Sequence, residues 1–200
     1  MPRMLDRPAV LEGPRWVAAE LTPADAPALQ AFYAENPLYS ELAYGRPGSD
    51  DAAVQEFAER PPADWPQGPC RFWAVLERGS GHWLAYLGFV EELLAAHVWH
   101  MGFFLVATSE HGSGLARELD DAWAAHAAAH GARWLRLGVI VGNARAERFW
   151  TRQGWREVRR REGVVYGLRT HTLSVRVKPL GDAPVEGYLA RVPRDRPEFA

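Results

Sequence analysis

Two residue types that often carry chemistry are almost missing: 200 residues hold one cysteine, Cys70, and one lysine, Lys178. A single thiol rules out an internal disulfide and a thiolate metal cluster. No apolar run is long enough to cross a bilayer, and the opening MPRMLDRPAV has no apolar stretch of the kind a secretory leader needs. A cytoplasmic, membrane-free address is therefore expected. Excess charge is also lacking, and a net charge of −2 argues against nucleic acid as a main partner. No internal repeat or low-complexity tract suggests a solenoid or a disordered chain. What remains is ordinary globular material, 48% hydrophobic and 24% charged, in a length that suits one domain with a sizeable core.

The charge is nevertheless uneven. Between residues 145 and 178 nine arginines from Arg145 to Arg176 face only Glu147, Glu157 and Glu162. Such a run is either a solvated strand and helix surface or a face that steers an anionic ligand.

Residues 15–21 read as a first strand, and Thr22-Pro23-Ala24-Asp25 as a helix start. Leu29, Phe32 and Tyr33 then recur at helical spacing until Asn36-Pro37. Residues 35–50 read as a loop, and a second helix follows through Val54, Phe57 and Ala58. Three β-prone runs, 72–76, 83–90 and 98–106, lie close enough together for an antiparallel meander. Residues 115–130 form a long helix that Gly131 stops, with Leu115, Leu119, Ala122 and His126 on one stripe. A strand over 134–141, a helix over 144–153 closed by Gly154, and strands near 157–166 and 172–177 complete the order. The expected fold class is thus α/β, one domain built on a mixed sheet. Residues 1–14 read as an extension, 15–180 as the domain and 181–200 as a tail. Val185, Tyr188, Leu189 and Val192 make that tail too apolar to hang free, so it should pack on its own domain or on a second copy, with a homodimer expected.

The chemistry-bearing stretch runs from Phe103 to Ala116. An apolar strand enters a short loop and a turn, His111-Gly112-Ser113-Gly114, that opens the long helix. Glycines let backbone approach a ligand, and the first-turn N–H groups of a helix suit an anion such as a pyrophosphate. Leu115-Ala116 stand where a triphosphate-binding loop needs its Lys-Ser/Thr pair, and Arg117 replaces the third glycine of a dinucleotide fingerprint.

A second segment brings the turn into a pattern. Asn143, Ala146, Phe149, Trp150, Gly154 and Trp155 follow the strand over 134–141 in fixed spacing. With the turn His111 to Ala116, they resemble the GNAT superfamily of N-acetyltransferases, whose motifs read R/Q-x-x-G-x-G/A and, downstream, N-x-x-A-x-x-F-Y with G-F or G-W. The strong match covers residues 98–155, and the order of flanking elements extends it to about 15–178. The resemblance implies a mostly antiparallel sheet flanked by helices and splayed at an acetyl-coenzyme A cleft. It implies that backbone of Leu105 and Val106 binds the pantetheine arm. The amides of His111, Gly112, Ser113, Gly114, Leu115, Ala116 and Arg117 would wrap the pyrophosphate, and Asn143 would contact the cosubstrate or fix the cleft.

Two positions depart from the family. His111 replaces the usual arginine or glutamine. Trp150, assigned to the cosubstrate site, replaces a tyrosine that protonates the leaving thiolate; indole is no acid near neutral pH. His100 is the first choice for a base, on the side of Gly102 and Phe104 if the strand alternates regularly, and with an ordinary pKa of about 6.5. Glu91 is the second choice, with Glu92 beside it. No metal is expected: His97 and His100 would face opposite ways on a strand, and His126 and His130 lack a third ligand. The acceptor would be a small-molecule or protein amine, received by Tyr33, Tyr39, Tyr44 and Glu41. The competing reading is a module that kept the cleft, binds acyl-coenzyme A and lost the chemistry.

Overall fold

The computed structural model describes residues 4–199. Its strands are β1 (Ala9–Glu12), β2 (Trp16–Glu20), β3 (Cys70–Glu77), β4 (Trp83–Val90), β5 (Val98–Val106), β6 (Trp134–Ile140), β7 (Arg156–Tyr166) and β8 (Arg169–Pro179). The α-helices are α1 (Ala26–Glu35), α2 (Leu38–Tyr44), α3 (Ala52–Ala58), α4 (Leu115–Ala129), α5 (Ala144–Arg152) and α6 (Val185–Arg191). All eight strands form one sheet in the order β1-β2-β3-β4-β5-β6-β8-β7. Every neighbouring pair is antiparallel except β5 with β6. The architecture is the mixed, mostly antiparallel α/β sheet that the sequence implies.

Three elements go beyond the sequence reading. Residues 9–12, ahead of the first expected strand, pair with β2 as an edge strand. Helix α2 occupies part of the segment read as a loop. Pro37 ends α1 but stands at the N-cap of α2, where its missing N–H costs nothing, and Gly45 closes the helix at φ +72°. Helix α6 forms in the tail.

One face of the sheet packs on α4 and α5 through Trp73, Leu87, Phe89, Trp99, Met101, Leu119 and Trp123. The other packs on α1 and α3 through Leu29, Phe32, Phe57, Leu76 and Tyr86. Seven of the nine tryptophans are buried, which explains them as core. The tail docks on its own domain. Tyr188 and Val192 enter a cluster with Val98, Trp134, Val175 and Val177, and the Trp134 indole donates to the Pro184 carbonyl at 2.9 Å.

Two irregularities of β5 position the site. Phe89 pairs with Met101 but Gly88 pairs with Phe103, so Gly102 is an extra residue in β5. A one-residue bulge exchanges the faces of everything beyond it. Trp99 and Met101 join the α4 side, yet past the bulge Phe104 and Val106 do, while Phe103 and Leu105 turn to α1 and α3. The second irregularity is a splay. The parallel pairing of β5 with β6 runs only from Val98 with Trp134 to Met101 with Leu137, whereas β6 stays paired with β8 as far as Ile140.

Candidate active site at the splay

Beyond Met101 the backbone edge of β5 that faces β6 has no strand partner. Leu105 and Val106 lie on this stretch, so their peptide groups can pair with an extended amide-bearing ligand as a further strand would. A cavity of about 270 Å³ fills the wedge, lined among others by His100, Phe104, Gly138, Asn143, Trp150 and Arg161.

The turn below the open end of β5 sorts its amides by use. His111 N–H donates to the Thr108 carbonyl, Ser113 N–H to Glu110, and Arg117 N–H to Gly114. Leu115 N–H donates to the Ser113 hydroxyl at 3.2 Å. Among the described residues Gly112, Gly114 and Ala116 have no such acceptor, which leaves three alternate donors rather than the full run from His111 to Arg117. Gly112 and Gly114 sit at φ +92° and +93° with open space where a Cβ would go. That backbone exposes the N–H groups, and only glycine adopts it without strain. His111 stands against the Arg145 guanidinium, and burial together with that charge disfavours its protonated form. The Arg117 side chain leans back toward Asp121 at 3.6 Å.

Asn143 is the N-cap of α5: its side-chain oxygen accepts from Ala146 N–H at 3.2 Å. Asn143 also lines the cavity. Trp150 is buried edge-on against Phe104, Phe149 and Trp155, with ring centroids 5.2, 4.7 and 5.2 Å away. The indole thus packs in the core while it also lines the wedge. Trp150→Phe is expected to change turnover by no more than about twofold while costing about 1–2 kcal/mol of stability, from lost core contact. Steady-state rates and thermal melts check both halves.

The Acetyltransferase (GNAT) family model matches residues 30–155, well over half the chain. The chain belongs to the GNAT family. No curated protein matches it in sequence. Among solved structures it is similar to an acetyltransferase from Thermus thermophilus at 23% identity, covering 86% of this chain and 100% of that one, with a TM-score of 0.64. A probable GNAT acetyltransferase from Chromobacterium violaceum is 19% identical over 90% of this chain and 87% of its own, at a TM-score of 0.69. RimL, a ribosomal L7/L12 alpha-N-protein acetyltransferase in complex with coenzyme A, is 13% identical over 88% and 100%, at 0.67.

Within this GNAT fold the candidate bases fare differently from their sequence reading. Because of the Gly102 bulge, His100 does not share a face with Phe104; it lies with Phe103 and Leu105, toward α3. Its Nδ1 is 3.1 Å from the Arg136 carbonyl and 3.3 Å from the Arg136 guanidinium. One nitrogen cannot donate to the first and accept from the second at once. The shorter contact favours a proton on Nδ1, which leaves the Nε2 lone pair free. Burial, and then the charge of Arg136, push the pKa of the ring down to about 3. The ordinary value near ~6.5 therefore does not apply. His100 should stay neutral from pH 5 to 8, read as flat imidazole ¹⁵N shifts across that range; a midpoint near 6.5 would show that the ring is hydrated and free.

Glu91 stands away from the wedge. Its carboxylate is held by Arg71 at 2.8 Å, and Arg71 also reaches Glu20 at 3.2 Å. Glu91 lines neither of the two cavities at the splay. Of the expected acceptor residues, Tyr39 lines the wedge and packs on Phe103 at 4.9 Å, Tyr33 is buried against Phe103 and Tyr86, and Glu41 is exposed. Sequence reasoning missed Arg136. It lines the wedge, and its guanidinium is paired to the fully buried Asp195 of the tail at 2.7 Å. Among the described residues no group of three or more His, Cys, Asp and Glu could hold a metal ion, and no helix is long and apolar enough to cross a membrane.

Proposed function

We propose that this GNAT acetyltransferase moves the acetyl group of acetyl-coenzyme A onto the nitrogen of an amine. The observation that carries the reading is the unpaired edge of β5, which borders a cavity and ends at a turn with three free amides. An extended pantetheine arm fits the edge, and a pyrophosphate fits the turn at the N-terminus of α4. The RimL structure, which holds coenzyme A on this fold, supports the fit.

The protein's part is then positioning. A thioester is already activated, so a neutral amine held in line needs little beyond orientation. The N–H groups of β5 past the bulge can polarise the thioester carbonyl where negative charge develops. Trp150 gives no acid, so the thiolate takes its proton from the attacking nitrogen or from water. The acceptor is a small-molecule amine or a protein amine such as the alpha-amino group that RimL's name specifies.

The test is release of free thiol from acetyl-coenzyme A against a panel of polyamines, amino acids and N-terminal peptides. Acetyl-amine formed in step with thiol supports transfer. Tight acetyl-coenzyme A binding with no product from any amine would favour the binding-module reading instead.

A further inference from the structure

A second cavity, of about 220 Å³, adjoins the wedge. The two share His100 and Gly102 as a common wall. The smaller one is bordered by α3 and by β3 and β4, and its lining includes Glu56, Glu59, Phe72 and Gly88. Glu56 is the carboxylate of that lining that meets the sheet. It is half-buried on α3, it accepts a hydrogen bond from the Tyr86 hydroxyl at 3.0 Å, and no guanidinium or ammonium pairs with it among the described residues.

Two missing side chains connect this carboxylate to the splay. A Cβ on Gly88 would lie 3.0 Å from a Glu56 carboxylate oxygen and 2.8 Å from the Tyr86 hydroxyl, so the acid occupies space that only glycine leaves open. Across the ladder Gly102, the bulge residue, leaves the wall between the cavities without a side chain. His100, on the same wall, is neutral and offers Nε2 as a hydrogen-bond acceptor. A space of this size, lined by a carboxylate and an imidazole, holds several waters.

We propose that Glu56 takes the proton from the acceptor amine, through water in the smaller cavity. The inference rests on the acetyltransferase reading above. An amine arrives as R–NH3⁺; one proton passes by water to the Glu56 carboxylate, which becomes a neutral carboxyl. The nitrogen lone pair then attacks the thioester carbon, the C–N bond forms, and the C–S bond breaks. The second proton leaves the nitrogen for the departing thiolate, giving the amide and free thiol, and Glu56 returns its proton to solvent. No acid is required at position 150.

The surroundings tune Glu56 for this. Burial raises its pKa most, the Tyr86 hydrogen bond lowers it, and the charge of Glu59 raises it, with a result of about 7. The other groups facing it are Tyr33 from α1, Tyr39 and Tyr44 from α2, Cys70 from β3 and His100 from β5. Arg60, at the end of α3, also lines the cavity, and its Nη1 donates to the Phe57 and Glu59 carbonyls at 2.8 and 2.6 Å. Glu56 is thus the group placed to change charge near neutral pH.

The experiment compares kcat/KM for Glu56→Gln and the parent with one good amine from pH 5.5 to 8.5. The amine's own ionisation is common to both, so the ratio isolates Glu56. We expect a ratio near one at low pH that rises through about pH 7 to a plateau of about ten- to a thousandfold, at or below the usual range for loss of a base because water can substitute. Tyr86→Phe keeps the carboxylate and removes the bond that lowers its pKa, so the midpoint should move upward. A merely structural role would move neither midpoint. A flat ratio with an active parent, or an unmoved midpoint in Tyr86→Phe, would overturn the proposal. An inactive parent would sink the acetyltransferase reading itself, and Glu56's role with it.

Discussion

Asp195→Ala should destabilise the protein by about 3–5 kcal/mol, the usual cost of leaving one partner of a buried ion pair alone. Asp195 is fully buried, and both its oxygens are used: one accepts from the Arg136 Nε at 2.7 Å, the other from Nη2 at 3.2 Å, and the Tyr188 hydroxyl adds a third bond. Removing the carboxylate strands the Arg136 guanidinium, itself only 5% exposed, between β6 and the tail. For a chain of this length the melting temperature should fall by roughly 10 °C. The pH dependence has a definite sign. Burial alone would raise the Asp195 carboxyl, but the hydrogen bond and charge of Arg136, with Tyr188, hold it below the usual carboxylate range. A depressed acid contributes stability that is complete above its unfolded value of about 3.9 and is lost as pH falls through the lower folded value. The gap between parent and variant should therefore be full at pH 7 and shrink only in strong acid. Melting curves at both pH values decide it. A variant that melts within a degree or two of the parent at pH 7 would show that the tail does not clamp β6. The same variant should loosen the splay, because Arg136 stands beside His100 just before β5 and β6 part.

Much of this site was readable in the sequence, and the omissions have physical causes. The turn from His111 to Ala116 and the segment from Asn143 to Trp155 carry local geometry, positive-φ glycines and an N-cap, that short spacings report faithfully. Gly102 does not announce itself, since a lone glycine in an apolar strand reads as a weak point as readily as a bulge. Missing that bulge put His100 on the wrong side of β5. Glu56 was hidden by the helix around it. Val54, with Phe57 and Ala58, drew the apolar stripe of α3, yet Val54 is 60% exposed, and the buried residues are Ala53 and Phe57. The true stripe admits Glu56, one residue before Phe57. In so short a helix one valine outweighs the period. Asp195 and Arg136 lie 59 residues apart and meet only because the tail folds back; no local pattern encodes such a pair.

The strongest expected effect on ligand binding is at Gly114, and it needs a control to be read. Any side chain there meets the strain of φ +93°, although nothing lies within 4 Å of the added Cβ. Gly114→Ala therefore measures the backbone cost alone. Gly114→Asp adds a carboxylate beside the N–H groups of Gly112, Gly114 and Ala116. If those groups hold a pyrophosphate, two like charges then lie about 4 Å apart, a repulsion of about 1 kcal/mol in water-like surroundings and about 4 kcal/mol near a protein surface. Acetyl-coenzyme A should bind Gly114→Asp about five- to a thousandfold more weakly than Gly114→Ala, by the same arithmetic. Both variants should melt alike, since the turn is exposed. The difference should also narrow at high salt, because the screening length of about 10 Å at 0.1 M falls to about 3 Å at 1 M, shorter than the separation of the two charges. Calorimetric titration at two ionic strengths gives the dissociation constants, and thermal melts compare the two stabilities. Equal dissociation constants for the two variants would move the phosphates away from this turn, and the wedge between β5 and β6 would then need another ligand to explain its open edge.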